Sequence, residues 1–156
     1  MTAVWAILMV LLLVGADQLT KHLVLTHLAD GHSVTVIPQV LQFRYVQNTG
    51  AAFSLFHDKT WLLSLVTAAI LIAAAVLLIR GKIPGRFKQV CVLLIMAGGI
   101  GNLIDRVFRH YVVDFLEVLF VRFAVFNVAD CFVTVGAFLL IFCLIVEMIR
   151  EGKEEA

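Results

Sequence analysis

Four apolar runs dominate this sequence, about Ala3 to Leu25, Trp61 to Ile79, Val90 to Ile104 and Cys131 to Ile149. A helix of about 20 apolar residues crosses the ~30 Å hydrocarbon layer of a bilayer, and each run approaches that length, the third with help from its flanks. Inside lipid the backbone has no water to bond, so the runs must be helices. Composition agrees: 62% of the 156 residues are hydrophobic and 15% charged, against roughly 45–50% and ~25% in soluble domains. The expectation is a mainly α membrane protein, a single integral-membrane domain over residues 1–156 with four transmembrane helices at about 3–25, 61–79, 89–105 and 131–149. A net charge of +1, with no basic cluster interleaved with aromatics, argues against a nucleic-acid partner.

The first run is expected to be a retained helix rather than a cleaved leader. No Lys or Arg precedes it, no A-x-A site follows it, and Asp17 and Lys21 prolong it as a polar face. Orientation rests on charge density. Arg80, Lys82, Arg86 and Lys88 crowd the short loop between helices two and three, which predicts that loop and both termini on the cytoplasmic side. The segments at about 26–60 and 106–130 then lie outside. Ser33 to Ile37 and Val40 to Val46 read as strands around Pro38, because Leu41, Phe43 and Tyr45 alternate with Gln42 and Arg44. Ala51 to Phe56 reads as a short surface helix capped by Asn48 or Thr49. Val118 to Phe126, with only Arg122 charged, reads as a strand or a membrane-surface element.

Two aspartates, Asp114 and Asp130, stand in otherwise oily stretches. An Asp at the centre of a membrane helix costs roughly 2.5–3.5 kcal/mol on insertion scales, so two invite acid/base chemistry. Asp130 has a second explanation, as an acid in the first turn of helix four, where the helix dipole favours negative charge. Asp114 has none, although Glu117 competes for its role. Both acids are expected at the mouth of the bundle, where neither need be a buried charge.

Other polar residues share helix faces. Asp17 and Lys21 are i,i+4, either a structural ion pair or substrate contacts. Asn102 and Arg106 are also i,i+4, and Arg106 can fork onto a carbonyl or a lipid phosphate, or pair with Asp105 or another acid. Asn127 lies three residues before Asp130 and faces the same way if helix four begins there. The glycines of Gly98-Gly99-Ile100-Gly101 suit close helix approach; without a preceding strand or a following GK[ST] they do not make a phosphate loop. Cys91, Cys131 and Cys143 lack CxxC spacing, and His22, His27, His32, His57 and His110 form no metal motif, so neither a metal nor another cofactor is expected.

Five blocks together resemble the lipoprotein signal peptidases (signal peptidase II). They are Asp17-Gln18-Leu19-Thr20-Lys21, Asn48-Thr49-Gly50-Ala51-Ala52-Phe53-Ser54, Gly101-Asn102-Leu103-Ile104-Asp105-Arg106, Val113-Asp114-Phe115 and Phe126-Asn127-Val128-Ala129-Asp130. The resemblance implies an aspartic endopeptidase of the bacterial inner membrane, with a small extracytoplasmic β-cradle over its catalytic end. Its substrates would be prolipoproteins, cut just before a diacylglyceryl-modified cysteine. It implies Asp114 and Asp130 as the catalytic dyad. Asn48, Gly50, Asn102, Arg106 and Asn127 would line the site, and Asp17 and Lys21 would support it from helix one. Membrane lipids are the other expected partners, and a monomer the expected state. The alternative from another class is a small transporter or proton-relay protein. A relay spreads ionisable residues through the membrane's depth, whereas here the middles of helices two and four carry no charge.

Overall fold

The computed structural model describes residues 2–50 and 60–154. Four helices, α1 (Ala3–His27), α2 (Thr60–Ile79), α3 (Arg86–Arg109) and α4 (Val128–Glu154), are long and apolar enough to cross a membrane. Three strands, β1 (Ser33–Ile37), β2 (Leu41–Asn48) and β3 (Val112–Val118), form one antiparallel sheet in the order β1-β2-β3. The expected surface helix at 51–56 lies outside the described residues.

α3 sits at the centre and packs against each of the other three helices. It runs antiparallel to α4, because Gly98 faces Ala129 while Cys91 faces Gly136. A Cβ on Gly98 would collide with the carbonyl oxygen of Ala129, so only glycine lets the two backbones come this close. α1 runs parallel to α3, bringing Gln18 beside Gly101. The chain therefore threads up and down. Its ends and the α2–α3 connection share one end of the bundle, and the sheet covers the other.

Two helices extend beyond their apolar runs. α3 continues to Arg109 because Asp105 is buried, paired with Lys21 of α1 and with Arg109 one turn on. His110, at φ 66°, then turns the chain, and β3 starts two residues later. α4 starts at Val128 because Asn127 caps it, as described below. The strand at this end is not Val118–Phe126. It is Val112–Val118, and Phe126 contributes only an isolated bridge to Leu116. The strand escapes an alternation test because Val112, Val113, Asp114 and Phe115 are all buried, with one sheet face on the helices and the other on the site. Val113 and Phe115 close a core with Val24 of α1 and Leu28 just past its end, and Phe43 meets Phe115 edge-on at 5.8 Å.

Candidate active site

The site is built outward from a buried ion network. Lys21 has three ammonium protons and three acceptors: Asp17 Oδ2 at 2.9 Å, Asp105 Oδ2 at 3.0 Å and Asn102 Oδ1 at 2.9 Å. Arg109 pairs with Asp105 Oδ1 at 2.5 Å, so two acids meet two bases and the cluster is neutral. Asp17, Lys21 and Asp105 are each 0% exposed. Gly101 makes room for this packing, since a Cβ there would lie 2.5 Å from Asp17 Oδ2. Asp105 Oδ2 also accepts the backbone N–H of Val113 at 3.1 Å, which fastens the start of β3 to α3 one residue before Asp114.

The other half of the scaffold is the start of α4. Asn127 Oδ1 accepts the N–H of Asp130 at 2.9 Å, and Asp130 Oδ2 accepts the N–H of Asn127 at 3.2 Å. This is the reciprocal geometry of a capping box, here with Asn and Asp. Asp17 reaches across from α1 and accepts the N–H of Ala129 at 3.0 Å, satisfying another donor of that first turn.

Asn102 and Asn127 carry this order to the two candidate acids. Lys21 can only donate, so it holds Asn102 Oδ1 and turns the Nδ2 toward Asp130 Oδ1, 2.8 Å away. Asn127 Nδ2 donates to Asp114 Oδ1 at 2.6 Å. Asn48 Nδ2 donates to Asp114 Oδ2 at 2.8 Å, while its own Oδ1 accepts the N–H of Gly50 at 3.0 Å. The Asn48 contact depends on a bulge. Phe43 pairs with Leu116 but Val46 with Asp114, one residue more on β2 than on β3. Without that extra residue Gln47, not Asn48, would share the face of Asp114.

Asn48, Asn102, Arg106, Asp114 and Asp130 line one cavity of about 500 Å³, walled by Phe123 to Phe126 and by the first turns of α4. Asp17, Lys21 and Asn127 do not line it; each is 0% exposed behind it, which leaves no room for substrate contact. Gly50 is buried beside it, and its carbonyl accepts from an Arg106 Nη at 3.4 Å. Arg106 makes no ion pair with Asp105, which is taken by Lys21 and Arg109. Its buried Nε has no partner among the described residues.

The expectation that neither acid is buried at the bundle mouth needs correcting. Asp130 is half-buried, and Asp114 is 1% exposed. Burial pushes the Asp114 carboxyl up to about 7; the nearby Asp130 charge adds to the rise, and the amides of Asn48 and Asn127 oppose it. Glu117 does not compete. It lies outside the cavity, held by Arg44 Nε and Nη2 at 2.7 and 2.8 Å, and that ion pair keeps its carboxyl below the usual range. The sequence reading passed over the weight of Asp105, Arg109 and Gln18 in the buried network. The i,i+4 spacing of Asp105 and Arg109 was the available signal; Gln18 offered none beyond its neighbours.

The signal peptidase (SPase) II family model matches residues 9–146, from α1 through most of α4 and including both acids. Lipoprotein signal peptidases of Streptococcus pyogenes serotype M5 (strain Manfredo) and serotype M18 (strain MGAS8232) are each 42% identical over 138 residues, covering 88% of this chain and 91% of the relative. A bacterial membrane enzyme solved by the in meso method at 2.3 Å resolution superposes with a TM-score of 0.88 at 34% identity, covering 94% of this chain and 90% of that one. A second, at 1.9 Å, gives 0.82 at 35% identity, covering 91% and 93%. With one family model spanning both acids and relatives of this identity along nearly the whole chain, the protein belongs to the signal peptidase II family.

Proposed function

We propose that this chain is an aspartic endopeptidase that removes signal peptides from prolipoproteins, cutting just before a cysteine that carries a diacylglyceryl thioether. The observation that carries the reading is that Asp114 and Asp130, from different elements, open into one cavity and are tied together through Asn127. Two neighbouring carboxylates do not ionise together easily, so the pair holds one proton and titrates as a unit. Asp130 is placed as the base: it accepts from Asn102 and from the Asn127 backbone, in the first turn of α4, where the helix dipole favours negative charge. Asp114, raised to about 7, holds the proton.

Asp130 takes a proton from water as the water oxygen attacks the scissile carbonyl. Asp114 hydrogen-bonds the carbonyl oxygen as it gains charge, and a proton then passes to the leaving amine as the C–N bond breaks. These steps call for neither a metal nor a covalent intermediate. Arg106 and Asn48 hold substrate main chain, and a substrate carbonyl satisfies the Arg106 Nε, which has no partner among the described residues. The site faces the extracytoplasmic side, with the Arg80–Lys88 loop and both termini cytoplasmic. Its wall runs past Asp130 to Val133, Thr134 and Val135, so lipid tails approach from the bilayer side while the peptide bond meets water.

The test is cleavage of a purified lipid-modified precursor. Asp114→Asn and Asp130→Asn should each fold and lose at least ~10²–10⁴-fold in rate, the usual worth of a positioned acid or base. Turnover near the wild-type rate by either variant refutes the dyad. Wild-type cleavage should also decline as pH rises through about 7, where Asp114 gives up its proton.

A further inference from the structure

We propose that the end of the bundle opposite the carboxylates binds an anionic phospholipid, with its phosphate at Arg86 and an acyl chain in a groove between α1, α2 and α3. The groove encloses about 650 Å³ and is walled by Ala6 and Val10 of α1, Ala75 of α2, and Leu93 and Met96 of α3. The small side chains of Ala6 and Ala75 leave this volume open. A second cavity, of about 380 Å³, is bordered by Thr2, Trp5, Arg86 and Val90. Thr2 borders both, so the two cavities adjoin at the start of α1.

Their dimensions and polarity match a single lipid leaflet. On α1 the groove runs from Thr2 to Leu11. At 1.5 Å per residue that is about 13 Å, close to half of the ~30 Å hydrocarbon core. The lower part is apolar and open toward the bilayer. The upper part carries Trp5, 55% exposed, at the level where tryptophans favour the membrane interface.

Charge selects the headgroup. Among the described residues, Arg86 is the one ionisable side chain on either cavity wall. The first turns of α1 and α3 hold no acidic residue. Glu147 and Glu151 lie on α4, which borders neither cavity, and Glu147 is taken by Lys88 at 2.6 Å. Among the described residues no carboxylate pairs with Arg86, which stands beside an apolar groove, and a guanidinium fork matches a phosphate group. The anionic lipid of the surrounding leaflet supplies both chemistries at once. This site rests on the membrane-spanning fold alone, not on the peptidase reading.

Native mass spectrometry of the full chain, released from nanodiscs of phosphatidylglycerol or of phosphatidylcholine with the same acyl chains, tests it. The protein should retain one phosphatidylglycerol and no phosphatidylcholine. Arg86→Ala should lower retention about fivefold, the worth of one basic residue at an anionic surface. Ala6→Leu, which fills the groove, should lower it with Arg86 intact. Arg80→Ala, on the same loop but outside both cavities, should retain lipid as the wild type does. All three variants should keep the wild-type thermal unfolding midpoint in detergent, which shows that they fold. Equal retention of the two lipids, or equal losses from Arg80→Ala and Arg86→Ala, overturns the proposal, because either outcome means lipid held by bulk charge or not selected at all.

Discussion

α2 and α3 lie side by side and obey opposite rules. α2, the most apolar of the four helices, has no buried residue. α3, the least apolar, buries Asn102 and Asp105 together with Ala97, Gly98 and Gly101. In water the order would be reversed, because apolar surface would seek the interior. In a bilayer the lipid tails are as good a partner for leucine as another helix is. What draws a helix to the centre is polar groups in need of partners and small residues that let backbones touch. The helix that looks least like a membrane span is therefore the one around which this fold and its candidate site are arranged.

The largest effect should come from breaking the network on the α3 side. Lys21→Met strands Asp17 and Asp105 without their shared cation, and unpairing a buried charge costs about 3–5 kcal/mol. Thermal unfolding in detergent should show a large drop in midpoint. A midpoint within a degree or two of wild type would mean that the network is incidental to the fold.

Next is the pH dependence of stability carried by Asp114. Its folded value, about 7, lies above the ordinary aspartate value of 3.8. The folded state therefore binds the proton more tightly than the unfolded state. This contribution is fully present below pH ~4 and is lost as pH rises through about 7, a change of about 4 kcal/mol at most. Midpoints measured from pH 4 to pH 8 should fall more steeply for wild type than for Asp114→Asn. Parallel curves would show that the buried polar side does not impose this cost.

Gly98→Val should be smaller but still measurable. The added side chain meets Ala129 and Val133 and wedges α4 away from α3, costing about 1–3 kcal/mol and loosening Asp130 with it. Cleavage should fall by more than the stability loss explains. At the bottom of the scale, Ile72→Ala removes a side chain that is 65% exposed on α2 and should change stability by less than ~0.5 kcal/mol. A loss comparable to that of Gly98→Val would remove the contrast between the two helices.

Much of the architecture was legible without coordinates. Hydrocarbon runs of membrane length allow little but helices, and strands β1 and β2 announced themselves by β-branched and alternating residues. Asp114 and Asp130 stood out because carboxylates in oil are costly, Asp17 and Asn102 because each shares a helix face with a base four residues on, and Asn48 only through the family resemblance. β3 was not legible, because a strand buried on both faces has no period to read. The last turn of α3 was missed because Asp105, Arg106 and Arg109 look like a helix leaving the membrane, whereas two of them are neutralised by pairing inside the fold.

The sequence by itself determined four helices, an up-and-down thread and a collection of acids and amides gathered at one end, because lipid forbids unsatisfied backbone and penalises stray charge wherever it falls. Only the tertiary structure decided what each polar residue does. Asp17 caps a helix that begins more than a hundred residues later in the chain. Lys21 sets which way the Asn102 amide faces. One extra residue in β2 turns Asn48 rather than Gln47 toward Asp114. Each depends on a hydrogen bond between elements distant in the chain, where a shift of one residue or the flip of one amide changes the partner, and neither composition nor spacing carries that information.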